Sequence, residues 1–157
     1  MSYSIREAQI ADADRVVELV VRLLSELDRV PVELDREASR QIYKELIGNP
    51  AHRAFIAWDG EKAVGLITVV QSLAIYARGR FGIINEFYVM PEYRSSGIGR
   101  LMLEEVEQFG LSRGWQRLEV GAPEREHWSR SIAFYCKEGF VEIGPRLKKL
   151  FPGGPPR

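Results

Sequence analysis

Cysteine is almost missing from this chain of 157 residues; Cys136 stands alone, so no internal disulfide can form. A chain without that staple must close on a hydrophobic core, and it suits a reducing cytosol. Histidine is nearly as scarce, and two scattered histidines with one cysteine give no metal-ligand spacing. Charge of neither sign is in excess: 22 Lys and Arg face 22 Asp and Glu. That balance argues against general nucleic-acid affinity, which usually needs a basic surplus. No apolar run approaches the ~18 residues of a membrane span, and nothing at the start reads as a secretory signal. A cytoplasmic protein is expected, bound neither to membrane nor to nucleic acid.

What is present suits one compact domain. Hydrophobic residues make up 45% and charged residues 28%, and the length allows one proper core. We expect that domain over residues 1–151, with the Pro- and Gly-rich residues 152–157 as a flexible tail.

Periodicity places the elements. Residues 4–8 read as a strand, with Asp12 as an N-cap and Val16, Val20, Leu23, Leu24 and Leu27 at helical spacing after it. A second helix is expected over 35–47. Residues 53–58 and 63–73 form a hairpin around Asp59-Gly60-Glu61, and a long strand covers 81–90. A helix over 98–113 follows, with Ile98, Leu101, Met102, Val106 and Phe109 as its apolar stripe. A strand over 116–121, a helix over 129–137 and two closing strands, 140–143 and 146–151, complete the order. The result is a mixed α/β chain, β-α-α-β-β-β-α-β-α-β-β.

The richest stretch joins the long strand to its helix through Arg94-Ser95-Ser96-Gly97-Ile98-Gly99-Arg100. A strand, a glycine turn and a helix N-terminus gather unpaired N–H groups and the positive end of the helix dipole at one point. Such a point takes phosphate. The P-loop pattern fails, because Arg100 and Leu101 stand where Lys and Ser or Thr are needed. The dinucleotide fingerprint fails too, because only two glycines, spaced G-x-G, are present.

The spacing that fits is Arg-x-x-Gly-x-Gly with Val89 five residues before Arg94, which resembles the acyl-CoA motif of the GNAT superfamily of N-acyltransferases. Ser131-Ile132-Ala133-Phe134-Tyr135-Cys136-Lys137-Glu138-Gly139-Phe140 resembles the same family's A-I-x-F-Y-x-x-x-G-F segment. The resemblance implies the element order above and acetyl-CoA as cosubstrate, with no metal. An acetyl group would pass to a primary amine of a small molecule or peptide by direct attack in a ternary complex. A homodimer is left open. The acceptor itself is not identified. The other reading is a regulatory module that binds CoA without turnover.

By the same resemblance Tyr88 and Val89 at the strand end, and Arg94, Ser95, Ser96, Gly97, Ile98, Gly99 and Arg100 in the turn, would hold the cofactor. The loop's backbone amides take the pyrophosphate, and a bulge on the strand frees the Val89 amide to polarise the thioester carbonyl. Ser95 stands where the family usually has glycine, which suits it only if its backbone stays in an L-residue region. Arg94 could instead be a solvated surface arginine.

Asn85-Glu86 interrupts the apolar central strand, so one polar group faces each side of the sheet. Glu86 is either a carboxylate satisfied by a partner or the general base. A base is wanted because an alkylamine near pKa 10 is nucleophilic in only about one molecule per thousand at neutral pH. Tyr135 is either core packing or the proton donor to the leaving thiolate. Cys136 has no motif tying it to a histidine and reads as inert. Trp128 stands where the family usually has an asparagine that contacts the cofactor arm; Ser129 or His127 could substitute. Residues 124–127 read as a solvated charged loop. The resemblance implies that the acceptor side is lined by the first two helices and the loop near 72–82, which would bring Glu26, Asp28, Glu33 and Asp35, and Tyr76, Arg78 and Arg80, to it.

Overall fold

A computed structural model describes residues 2–123 and 128–153. The chain divides into two compact units, Met1–Val120 and Gly121–Arg157. In the first, a five-stranded sheet has its strands in chain order: β1 (Ser4–Glu7), β2 (His52–Asp59), β3 (Lys62–Ala74), β4 (Gly79–Val89) and β5 (Leu118–Val120). Pairing is antiparallel except between β4 and β5, which run parallel and are joined through helix α3 (Ile98–Ser112). Parallel neighbours need such a crossover.

Before β2 come α1 (Ala13–Asp28) and α2 (Arg36–Gly48). The Asp35 carboxylate accepts the Ala38 N–H at 3.0 Å and so caps α2. Asp12 precedes α1, but its carboxylate accepts the Gln9 N–H at 2.8 Å and braces the turn before the helix instead. Buried Tyr43 ties α2 to that turn by donating to the Gln9 carbonyl at 2.7 Å.

The core lies on both faces of β2–β4, with Ile56, Val64, Leu66, Ile67, Val69 and Ile84 fully enclosed. Helix α3 covers one face with Ile98, Met102, Leu103, Val106 and Gly110. Leu103 rather than Leu101 belongs to that stripe, and Leu101 lies outward. The inward face of α3 follows the sheet, which takes Met102 and Leu103 side by side. Trp115 fills a slot over two glycines: a β-carbon on Gly82 or Gly110 would overlap its ring. Its indole N–H donates to Gln71 Oε1 at 2.9 Å. A side chain this large could not lie against the sheet if either position carried one.

The second unit contains α4 (Ser129–Lys137). The two closing strands expected over 140–143 and 146–151 are not formed among the described residues. A strand exists only where a neighbour completes its ladder, and α4 is the one regular element described in this unit. Gly139 and Gly144 adopt positive φ (97° and 125°), which turns the chain away from extended geometry. Val141, Ile143 and Leu147 are correspondingly exposed.

Candidate functional site

The site is built at the far end of β4. Thr68 pairs with Glu86 but Val69 pairs with Ile84, so Asn85 is the extra residue of a β-bulge. Its effect can be followed from the amides. Before the bulge, Gly82 directs its N–H at β5, bonding the Arg117 carbonyl at 3.1 Å. After it, Met90 directs its N–H at β3, bonding the Val64 carbonyl at 2.9 Å. Without the extra residue these two even-numbered amides would point the same way. The Val89 N–H therefore points away from β3, toward the side where β5 has already stopped pairing at Ile84.

The bulge also sorts the side chains. Glu86 and Tyr88 share the face packed by α1, as the Arg94 guanidinium over the Tyr88 ring (5.5 Å) reaches Glu26 on that helix. Phe87 and Val89 take the opposite face, where Met102 of α3 approaches the paired Gly65. Glu86 is half-buried and held from β3: its N–H donates to Thr68 Oγ1 at 3.0 Å, and that hydroxyl donates to the Glu86 carboxylate. Thr68 is itself buried, so one hydroxyl fixes both ends of the residue next to the bulge.

Past Val89 the chain makes a short 3-10 turn, Pro91–Tyr93, and enters the loop. Ser95 has φ 64° and Gly97 φ 89°. The serine is thus in the left-handed region, not an ordinary L-residue conformation; it performs the bend a glycine would perform more cheaply. The Ser96 hydroxyl braces the turn by donating to the Tyr93 carbonyl. The first α3 bond runs from the Leu101 N–H to the Gly97 carbonyl at 3.1 Å, leaving the amides of Ile98, Gly99 and Arg100 without intrahelical acceptors. Arg100 is exposed and pairs with Glu104 at 3.3 Å. Amides at a helix start beside two left-handed residues suit a phosphate-bearing ligand.

Arg94 is exposed at the surface, yet each nitrogen of its guanidinium is engaged by the protein. Its Nε donates to the Val89 carbonyl at 2.8 Å, and Nη1 and Nη2 donate to the two carboxylate oxygens of Glu26 at 2.7 Å each. The Glu26 carboxylate holds this guanidinium even more firmly protonated than usual. Burial pushes the Tyr88 phenol up, with the Glu26 charge adding to it. Glu26 is therefore engaged with the loop and does not stand open as an acceptor-side carboxylate. Asp35 is likewise occupied as a cap. Tyr76 donates to Glu119 at 3.1 Å, and Arg117 pairs with the same oxygen at 2.8 Å.

Tyr88, Val89, Arg94, Ser95, Ser96, Gly97, Ile98, Gly99 and Arg100 are thus brought together with Glu86 on one stretch of the first unit. Tyr135 belongs to the second. There it lies on α4 between Phe134 and Phe140, with ring centroids 5.7 and 5.5 Å away. Burial pushes its phenol up to about 12. Cys136 beside it is exposed. Trp128 precedes α4, and its carbonyl accepts the Ile132 N–H at 3.1 Å. Residues 124–127, including His127, lie outside the described residues. Among the described residues no group of three or more His, Cys, Asp or Glu could hold a metal ion, and no helix is long and apolar enough to cross a membrane.

A bulged strand opening beside a glycine-bearing turn, with an α3 crossover behind it, matches the arrangement that the family resemblance implies. Residues 18–140 match the acetyltransferase (GNAT) family. The chain belongs to that family and is an enzyme of the N-acetyltransferase type. It is 29% identical over 143 residues to an IAA acetyltransferase of Azospirillum brasilense, an overlap covering 89% of this chain and 84% of the relative. An integron cassette protein from the mobile metagenome of Cole Harbour Salt Marsh has a similar structure, with TM-score 0.80 and 26% identity over 96% of this chain and 91% of that one. A transcriptional regulator from Bacillus halodurans C-125 shares the fold at TM-score 0.83 and 21% identity, over 96% of this chain and all (100%) of that one.

Proposed function

We propose that this enzyme moves an acetyl group from acetyl-CoA to a primary amine by direct attack, in the cytoplasm. The observation that carries the reading is the Asn85 bulge, which turns the Val89 N–H outward beside the left-handed turn at the start of α3. The amides from Ser95 to Arg100 suit the pyrophosphate, where charge-assisted bonds are worth roughly 1.5–3 kcal/mol each. The helix end adds about 0.3–1 kcal/mol. The cosubstrate supplies an activated acyl group as a thioester. Val89 donates its N–H to the oxygen that gathers charge during attack. Glu86, oriented by Thr68, accepts the amine proton directly or through water; a proton lost from a group near pKa 10 accounts for roughly 4 kcal/mol at neutral pH. By the family resemblance, Tyr135 is the candidate proton donor to the departing sulfur; burial keeps its phenol protonated at neutral pH.

A second reading has one observation in its favour. Trp128 stands in place of the family's usual asparagine and cannot supply its amide groups. A module that binds CoA without turnover would tolerate that exchange. Release of CoA thiol from acetyl-CoA, measured against amino acids, polyamines, aminoglycosides and peptides, separates the two. Turnover with an amine supports the enzyme. Tight acetyl-CoA binding without thiol from any acceptor, and no effect of Tyr135→Phe, supports the module.

A further inference from the structure

The three hydrogen bonds of Arg94 join parts of the chain that nothing local connects. Glu26 lies 68 residues away, near the C-terminal end of α1, yet both of its carboxylate oxygens are taken by the guanidinium. Nε donates to the Val89 carbonyl, turning that edge of the guanidinium to the strand. That carbonyl and the Met90 N–H belong to one peptide plane, and the Met90 N–H is bonded to Val64 at 2.9 Å. The plane after Val89 is therefore held from both sides, by β3 through Met90 and by α1 through Arg94. The plane before it carries the outward-facing Val89 N–H.

We infer that Glu26 is a positioning residue: through Arg94 it fixes the Val89 peptide and so the aim of the N–H at the reacting carbonyl. This inference rests on the function proposed above. A carboxylate is needed because only a fork of two acceptors matches the planar guanidinium. Helix α1 lies on the Glu86 and Tyr88 face, so the acceptor side of the sheet and the carbonyl-facing amide share one brace. The side chain of Arg94 thereby acts on the chemistry through the strand, while the cradle's grip is left to backbone amides.

The test is Glu26→Gln, alongside the exchanged pair Glu26→Arg with Arg94→Glu. With acetyl-CoA and the best acceptor of the panel, Glu26→Gln should lower kcat about tenfold, the scale of a slightly misplaced reacting group. The KM for acetyl-CoA should stay within about twofold, because the amides that hold the diphosphate are untouched. The exchanged pair restores opposite charges, so its thermal midpoint should return toward the parent. Its kcat should stay low, because the side chain then at 94 has no N–H for the Val89 carbonyl. An unchanged kcat in Glu26→Gln, or a kcat that recovers with the midpoint in the exchanged pair, overturns the inference. Hydrogen exchange of the Met90 amide keeps the two proposals apart. It should quicken about fivefold in Glu26→Gln as the local opening becomes easier. If the parent protein releases no thiol with any acceptor, the proposed function fails, and unchanged Met90 protection then overturns the brace as well.

Discussion

Replacing Thr68 by Val tests whether the bulged segment is held as described. The two side chains are similar in shape, but the change removes a buried hydroxyl that accepts the Glu86 N–H at 3.0 Å and donates to the Glu86 carboxylate. The first bond is worth about 0.5–1.5 kcal/mol and the second, to a charged group, about 1.5–3 kcal/mol. Glu86 is half-buried, so water can replace part of the second. The new methyl group returns roughly 0.8 kcal/mol of apolar burial. The net expected loss is about 1–2 kcal/mol, read as a lowered urea midpoint with unchanged slope. A cycle with Glu86→Ala should show a coupling near 1 kcal/mol, since that change already removes the carboxylate bond. Turnover should fall as well, because the carboxylate loses its fixed direction. A loss under about 0.5 kcal/mol together with strict additivity would refute the Thr68 anchor and the orientation argued for Glu86.

The two left-handed positions of the turn, Ser95 and Gly97, should respond with opposite signs. Ser95→Gly relieves a strained serine and should raise stability by about 0.5 kcal/mol, while Gly97→Ala should lower it by about 1–2 kcal/mol, both by urea unfolding. Gly82→Ala drives a methyl group into the Trp115 ring and should cost about 1–3 kcal/mol, lowering the melting temperature by roughly 2–4 °C per kcal/mol in calorimetry. Tyr135→Phe should lower kcat. Because the folded phenol titrates at about 12 against an ordinary 10.0, its contribution to stability is present below pH 10 and fades as pH climbs toward 12. Urea midpoints measured from pH 9 to about 11.5 should therefore fall more steeply in the parent than in Tyr135→Phe; parallel curves would show that Tyr135 is not held in a low-polarity setting.

The cradle was legible because its parts are contiguous. Arg94 to Arg100 carries turn, helix start and amide donors in seven successive residues, and local geometry follows local sequence. The element order along the chain was also within reach, and the family resemblance expects a bulge on the strand that Asn85-Glu86 interrupts. Arg94 was a different matter. Its guanidinium could be read as solvated or as turned to a ligand, and no spacing rule pairs it with a carboxylate on the first helix. Thr68 likewise gave no sign in a run of Val and Ile that it would hold Glu86. Leu101 and Leu103 fit helical stripes about equally well, and contact with the sheet chose between them. The last two strands show the same limit: alternation at Val141 and Ile143 suggests extended chain, but a ladder needs a second strand.

Residue order alone determined the propensities that lie within a turn or two of the chain: the α1 to α4 helices, the hairpin of β2 and β3, and the glycine-bearing turn that starts α3. Tertiary structure decided everything that depends on partners distant in sequence. The direction of the Val89 amide, the engagement of Glu26 by Arg94 and the anchoring of Glu86 by Thr68 all arise from register and packing. Hydrogen-bond direction is set by which groups are brought within about 3 Å, and only the folded chain chooses those neighbours.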